Sequence, residues 1–444
     1  MTWKSHLRNA AIIIVLLLAG AYWYLSSPDK ARVALEDMQG QAPKLTTPRR
    51  ENFPTINIAK IVGWPAGAKP SAASGLKVAA FAEKLDHPRW LLELPNGDIL
   101  VAESSSPARK IDGLEDFIAR KLITEAGGAG GSPDRITLLR DADGDGAAEF
   151  RTEFLSGLHS PFGMALVGET LYVANTDAVL AFPYKTGETK IAAKGTKILD
   201  LPSSPPNNHW ARNLIAAPDG QSLYITVGSN SNIAEGGMDK EQDRALIRQY
   251  DLKTKQSLVY AYGLRNPNGL AFNPKSGTLW TVVNERDMLG SDGPPDYLTT
   301  VDFGTFYGWP FFYWGGIQDQ RVPQLRLDLQ QYTKRPDYAL GPHVAALGLA
   351  FNSGTALGSR FSNGAFIGMH GSWNRYPASG YKVVYVPFNE RGFPTGEKPA
   401  DVLTGFLNDK GQALGRPVGV IVDRKGALLV ADDAGNRIWR VTAG

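Results

Sequence analysis

Several short polar loops carry the residue types that chemistry needs. His209 stands in Pro205-Pro206-Asn207-Asn208-His209-Trp210-Ala211-Arg212-Asn213, just before an apolar run and a Pro218-Asp219-Gly220 turn. A neutral imidazole near pH 7 is a natural base for a hydroxyl proton. A surface or structural histidine would read the same way in isolation. Tyr262-Gly263-Leu264-Arg265-Asn266-Pro267-Asn268-Gly269 is a polar turn feeding a buried strand. Pro267 fixes the backbone that presents Arg265 and Asn266, and such an arginine also suits plain stabilisation of a turn. Next come Asn284-Glu285-Arg286-Asp287 and Asp292-Gly293-Pro294-Pro295-Asp296-Tyr297. This acidic, Gly/Pro-rich loop offers the hard oxygens, carbonyls included, that Ca²⁺ takes, and a solvated acidic loop is the plain alternative. Asp141-Ala142-Asp143-Gly144-Asp145-Gly146 matches the start of an EF-hand-type loop, but its twelfth position is Thr152. No helical pattern flanks it, so a metal-free Asp-Gly hairpin turn stays open.

These loops need a scaffold that gathers them, and one local pattern recurs along the body. An apolar strand, a Gly/Asp/Asn turn and a second apolar strand appear at 90–102, 162–174, 213–227, 268–283, 347–369 and 418–431. Asn-Gly and Asp-Gly supply the φ > 0 positions of tight hairpin turns. Six copies predict an all-β, six-bladed β-propeller, in preference to a sandwich with irregular hairpins. The terminal run 436–441 reads as a strand completing a blade begun at the other end, with 55–62 or 76–82 as its partner. In a propeller the inner strands converge on one axis. Loops far apart in sequence then meet at one face.

Composition agrees. The 48 glycines and 29 prolines mean many turns, which suits an all-β chain. Net charge is only +3 with scattered Lys and Arg, which argues against nucleic-acid binding. The absence of cysteine excludes disulfides, thiolate zinc sites and iron–sulfur clusters. At the N-terminus, Lys4 and Arg8 precede an uncharged apolar run from Ala10 to Leu25 that ends in Tyr22-Trp23-Tyr24. The run is a little shorter than the ~20 residues of a comfortable span. Basic flank first and aromatics last predict a transmembrane helix anchored in the inner membrane, with the body facing the periplasm. The rival is a cleaved signal peptide, since Ala19-Gly20-Ala21 fits a small-x-small cleavage site and would release the body into the periplasm. The expected organisation is therefore 1–25 as anchor or signal, 26–70 as polar linker and lead-in, and 71–444 as propeller.

The order of the motifs, from His209 through Arg265-Asn266-Pro267 and 284–296 to Tyr307-Gly308-Trp309-Pro310, resembles the glucose/sorbosone dehydrogenase family. That family comprises quinoprotein sugar dehydrogenases using pyrroloquinoline quinone (PQQ) and calcium. The resemblance runs from about residue 76 to 441. It implies oxidation of an aldose or sugar aldehyde, with electrons passed on to the quinone pool or a cytochrome. It implies His209 as the base and Arg265 against the quinone carbonyl, with Asn266, Lys382 and Arg416 also contacting the cofactor. Relatives bind calcium mainly through carbonyls, whose nearest positions here are Arg286 and Asp287, and Asp296 falls where they keep an acidic residue. Two departures stand out. Asn208 replaces the acidic residue that soluble glucose dehydrogenases place before the histidine. The loop at 285–296 carries Arg286-Asp287 and several extra residues in place of Glu-x-Gly-Pro, which is closer to the sorbosone branch. The polar-aromatic loop His370-Gly371-Ser372-Trp373-Asn374-Arg375 also resembles that branch and is expected at the rim of the bowl. Two other functions fit the same fold: a calcium-dependent lactonase-type hydrolase and a non-catalytic envelope binding propeller.

Overall fold

The computed structural model describes residues 3–25, 28–51, 55–108 and 131–444; the side chains of Lys4, Ser5, Arg8 and residues 21–25 lie outside the described residues. Among the described residues six sheets form the body, all antiparallel but for Thr305–Phe306, which joins the outer edge of blade 3 in parallel. Blade 1 is Pro88–Glu93, Ile99–Glu103, Arg135–Arg140 and Phe150–Leu155, from the axis outward. Blade 2 is Met164–Val167, Thr170–Ala174, Ala178–Pro183 and Thr196–Asp200. Blade 3 is Leu214–Ala216, Ser222–Val227, Leu246–Asp251 and Ser257–Tyr262. Blade 4 is Asn266–Phe272, Leu279–Asn284, Pro295–Thr300 and Tyr338–Pro342. Blade 5 is Ala346–Asn352, Gly364–Met369, Lys382–Pro387 and Ala400–Thr404, with Ser71–Ala72 added at its outer edge. Blade 6 is Pro417–Val422, Leu428–Asp432, Arg437–Ala443 and, outermost, Leu76–Ala82. Each of the six repeats in the sequence supplies the two inner strands of one blade. The innermost strands of successive blades touch around the ring, and blade 6 touches blade 1.

The blades cohere because their strands are apolar on both faces. In blade 5, Val383 joins the cluster shared with blade 6, around Phe366, Val420 and Trp439. Its neighbour Val384 joins the cluster shared with blade 4, around Trp280, Leu298 and Leu349. That alternation is the period-2 geometry of a strand. Each of the other four blade interfaces has its own buried cluster, for example Trp90, Phe154, Phe162 and Phe182 between blades 1 and 2. Near the axis the blades come so close that only glycine fits. A Cβ on Gly348 would lie 2.2 Å from the carbonyl of Val418, and one on Gly368 2.3 Å from the same oxygen.

The ring closes by pairing the two ends of the propeller. Leu76–Ala82 runs antiparallel to Arg437–Ala443, with Leu76 opposite Ala443 and Ala80 opposite Trp439. Of the two expected partners it is this one that pairs; the stretch 55–62 contributes only an isolated bridge between Ile61 and Ala413.

The lead-in lies against the propeller. Gly40 bridges to Ala339 in blade 4, and Asn57 bonds to the carbonyls of Trp373 and Arg375. The Trp64 ring packs edge-on against Phe406 and Trp439, at 5.4 and 5.2 Å between centroids. Its Nε1–H donates to the buried carboxylate of Asp432 at 2.7 Å. Asp432 also accepts from Trp439 Nε1 and from the amides of Arg416 and Gly435. Burial pushes its carboxyl up to about 6.

The segment expected to span the membrane is helical over Trp3–Leu25 (α1), and its apolar side chains from Ile12 to Leu18 are exposed. Among the described residues no helix is long and apolar enough to cross a membrane. The side chains of Lys4, Arg8 and Tyr22-Trp23-Tyr24, on which the expected anchor partly rests, lie outside the described residues.

Trp64→Phe keeps most of the packing but leaves Asp432 short of a donor. A buried acceptor losing its partner costs about 1–3 kcal/mol. Urea unfolding is expected to show a loss of that size; an unchanged midpoint would mean the lead-in contributes nothing to the stability of blade 6.

Candidate active site

In an antiparallel meander the start of the first strand and the end of the second lie at the same end of the blade. One mouth of the propeller therefore collects the segments before Leu214, Asn266, Ala346 and Pro417 and those after Val227, Asn284, Met369 and Asp432. Those segments hold His209, Arg265, His343 and Arg416, then Asn232, Asp287, Asn374 and Asp433.

His209 is half-buried at this mouth. Its Nδ1 lies 2.8 Å from the carbonyl of Ser229 and 3.0 Å from that residue's Oγ. A carbonyl only accepts, so the proton sits on Nδ1 and Nε2 keeps its lone pair. Burial first, and the Arg265 charge second, push the imidazole pKa down to about 3; Asp287 works the other way. The carbonyl of His209 takes a bond from Arg212, which is fully buried. A Cβ on Gly228 would stand 2.5 Å from His209 Cβ and 2.6 Å from Asn266 Oδ1. Glycine there lets the blade 3 backbone pass between the two side chains.

Arg265 is buried, and each of its donor groups is engaged. Nε donates to the carbonyl of Asn232 at 3.1 Å, and Nη1 to those of Glu285 at 2.6 Å and Asn284 at 3.4 Å. Nη2 donates to Asn232 Oδ1 at 2.9 Å and to Asp287 Oδ2 at 2.8 Å. Asp287 Oδ1 accepts from Asn374 Nδ2 at 2.8 Å and faces His343 Nδ1 at 3.7 Å. Burial works to raise the Asp287 carboxyl, but Arg265, His343 and Asn374 hold it well below the usual carboxylate range. His343 responds in the opposite sense: burial lowers it, but Asp287, with the Gly290 carbonyl and Asp296, raises it overall.

The loop at 285–296 is pinned differently. Asp296 accepts the amides of Glu285 and Ala345, both at 2.8 Å, so its carboxylate ties blade 4 to the start of blade 5. Burial pushes it up to about 7. The Arg286 side chain is fully buried and points away from His209, donating to Glu285, Asp319 and the carbonyls of Pro310 and Phe312. The carbonyl of Asp287 accepts from Arg321 Nη1 at 2.8 Å and Asn232 Nδ2 at 3.2 Å.

The structure thus brings His209, Arg265, Asn266, Asp287 and Asp296 into one neighbourhood. Arg416 stands at the same mouth in blade 6, buried over the Tyr381 ring, with Nη2 donating to the Tyr381 hydroxyl at 3.0 Å. Lys382 is set two strands out from the axis, and its Nζ pairs with Asp401 at 2.7 Å. The 370–375 loop reaches the mouth, where Asn374 meets Asp287 and His370 Nε2 lies 3.0–3.1 Å from the Asp433 carboxylate. Arg89, which also pairs with Asp433, lies over the Phe162 and Trp210 rings. Asn232, His343, Arg89 and Asp433 were not found from sequence. The polar run after Val227 and the Pro342-His343 step at a strand end were the available signals.

Among the described residues one group of carboxylates has metal-holding geometry: Asp141, Asp143, Asp145 and Glu149, with oxygens within 4.8 Å of one another. It joins the third and fourth strands of blade 1, at the end opposite His209. Thr152 lies in the following strand, not in the group, and strands flank the turn on both sides.

Asn232 holds this arrangement together, so Asn232→Ala should leave the Arg265 Nε–backbone and Nη2–Asp287 bonds but strand one Nη2 hydrogen and the Asp287 amide. A loss of about 1–3 kcal/mol in urea unfolding is expected. Unchanged stability would show that Arg265 and Asp287 hold each other without it.

Comparison with known proteins identifies the family. A family model described as TrAA12-like matches residues 135–296 and 328–444. An uncharacterised protein of Borreliella burgdorferi is 28% identical over 301 residues, 64% of this chain and 76% of its own length. The PQQ-dependent sugar dehydrogenase of Hypocrea jecorina is 23% identical over 440 residues, 88% of this chain and 92% of its own. The holo PQQ domain of pyranose dehydrogenase from Coprinopsis cinerea superposes with a TM-score of 0.68 at 20% identity, covering 85% of this chain and 98% of that one, a likeness of fold. Since the matched segments make up more than half of its length, the chain belongs to the TrAA12-like family.

Proposed function

We propose that the chain is a PQQ- and calcium-dependent oxidoreductase that oxidises an aldose or a sorbosone-like sugar aldehyde. The observation that carries this reading is the pairing, at one propeller mouth, of a neutral imidazole with a free Nε2 and a guanidinium locked by Asp287 and Asn232. The name of the Hypocrea jecorina relative supports the cofactor and the substrate class.

The residues present fit both groups. PQQ carries three carboxylates, and Arg265 and Arg416 bring positive charge to the mouth from blades 4 and 6. The buried amide oxygens of Asn266, Asn284 and Asn374 have no hydrogen-bond donor among the described residues. They are hard oxygens of the kind Ca²⁺ takes, and the Asp287 carboxylate adds charge beside Asn374. When bound, PQQ supplies the hydride acceptor and Ca²⁺ the Lewis acid that polarises it.

His209 takes the proton of the substrate hydroxyl on Nε2. The Nδ1–H bond to Ser229 fixes the tautomer that makes this atom the base, and Asp287 offsets part of the cost of protonating it beside Arg265. Arg265 holds a permanent positive charge at the mouth, suited to an oxygen on which negative charge develops. Asp287 fixes its orientation. Asp296 acts as a clamp between the loops.

The test is reconstitution. Apo-protein given PQQ and Ca²⁺ should reduce a redox dye in the presence of an aldose, and omission of either should abolish this. His209→Ala should retain PQQ binding by absorbance titration and lose turnover by about 10²–10⁴, the scale of general-base catalysis. Full turnover in the loaded variant would remove His209 from the mechanism.

We also propose that α1 anchors the protein in the inner membrane with the propeller in the periplasm. The exposed apolar stretch from Ile12 to Leu18 and the basic residues before it support this. The protein is then expected to stay with membranes through a high-salt wash, since salt screens charge but not apolar burial. A mature chain starting at Tyr22 would show a cleaved signal instead.

A further inference from the structure

Under the dehydrogenase and membrane-anchor readings proposed above, on which the quinone site below rests, sugar oxidation delivers two electrons that must leave the protein. A cavity of about 450 Å³ lies beside blade 4, a size within the ~300–1,000 Å³ of small-molecule sites. Its walls come from three places: Pro48 and Arg50 of the lead-in, Leu289 of the loop after Asp287, and Tyr313, Ile317 and Gln318 of a hairpin in the blade 4 insertion. Pro48, Leu289, Ile317 and the Tyr313 ring give it apolar surface, and Arg50, Asp319 and Arg321 bring charge to its edge. Tyr313 is 4% exposed, and its hydroxyl has no hydrogen-bond partner among the described residues. A buried O–H donor left unmade is costly and points to a missing acceptor.

Two further observations say what the acceptor is. First, the cavity adjoins the site. Arg321, another of its lining residues, donates Nη1 to the carbonyl of Asp287 at 2.8 Å and to that of Met288 at 3.1 Å, and Asp287 holds Arg265. Second, the cavity is tied to α1. The helix ends at Leu25, and the chain is next fixed at Asp29, whose carboxylate accepts the Ser291 amide at 2.7 Å and pairs with Arg49. The amide of Arg49 in turn donates to the carbonyl of Leu289, a wall of the cavity, at 3.0 Å. Four residues reach at most about 14 Å. With α1 in a bilayer, this side of blade 4 stays close to it. The same insertion exposes Leu325, Leu327 and Tyr332 at 60%, 55% and 67%, an apolar surface next to the cavity's hairpin.

We propose that this cavity binds the benzoquinone headgroup of a membrane-dissolved quinone, the electron acceptor of the reaction. The Tyr313 hydroxyl donates to one quinone carbonyl. Pro48, Leu289 and Ile317 cover the ring, and the isoprenoid tail leaves past Ile317 toward the exposed apolar surface. The balance closes. The reduced cofactor loses two electrons and two protons. The quinone ring gains the two electrons, and each of its carbonyl oxygens takes one proton, so that two C=O bonds become two C–OH groups.

The test uses the full chain in detergent and ubiquinone-1, whose short tail keeps it soluble. Titrated into apo-protein, ubiquinone-1 should quench tryptophan fluorescence saturably. Tyr313→Phe removes the donor and Ile317→Trp fills the entrance. Each should raise the Kd at least tenfold, and in loaded enzyme each should lower the ratio of ubiquinone-1 reduction to dye reduction at least tenfold. Wild-type protein that reduces dye with sugar but does not bind ubiquinone-1 would overturn the quinone site and leave the dehydrogenase standing. Two variants that bind and reduce ubiquinone-1 as wild type does would overturn the site equally. Binding of ubiquinone-1 without any sugar-dependent dye reduction would overturn the dehydrogenase reading, and the acceptor role with it.

Discussion

The pairing of Leu76–Ala82 with Arg437–Ala443 is the contact on which the molecule depends. A propeller blade buries both faces, so a missing neighbour exposes a whole apolar sheet. Blade 6 is built from both ends of the body. Without Leu76–Ala82 its third strand would be an unpaired edge, and Phe81 and Ala82 would leave the cluster between blades 6 and 1. That cluster is what makes the ring closed instead of a curved stack. Closure gives the mouth a fixed circumference, and a fixed circumference places His209 of the blade 3 loop against Asn266 of blade 4, with only Gly228 between them.

Electrostatics at the mouth follow from that confinement. Arg265 and Arg286 lie close in space, yet their charges are neutralised in opposite directions. Arg265 turns toward the axis and Asp287, while Arg286 turns outward to Glu285 and Asp319. Buried ion pairs of this kind return little net stability because desolvation offsets the attraction. Their effect is positional. The four N–H···O contacts that Asn232 makes or receives with Arg265 and Asp287 leave these two charged groups little freedom to turn. A rigid cation in a buried site acts on a developing negative charge without reorganising first.

The sequence was most legible where physics is local. Turn residues and apolar runs marked the inner two strands of every blade, because hairpin geometry and burial leave direct imprints on residue type. His209 and the Arg265-Asn266-Pro267 step could be picked out because each sits next to such a strand. What sequence could not supply was the partner of each charge. Asp287 was read for its carbonyl, but its carboxylate is the group at the mouth, and its carbonyl is taken up by Arg321, which comes from an insertion far along the chain. Asn232 lies in a serine-asparagine run that reads as a turn; only the closure of blade 3 on blade 4 sets it against Arg265. Lys382 was expected against the cofactor, but its place on a third strand sets it beside Asp401, out from the axis.

The lead-in shows how a stretch with weak local signals can still be structural. Its residues have no periodicity because they form no element of their own; each bonds to whatever loop it crosses. Asp29 meets Ser291, Arg32 meets Asp292, and Asn57 meets the 373–375 turn. These are the loops that carry Asp287 and Asn374. The segment between the helix and the propeller is therefore laced to the loops that form the mouth. The order of the mouth therefore rests in part on a segment outside the blades, since the loops at 285–296 and 373–375 are held from the lead-in as well as from within the propeller.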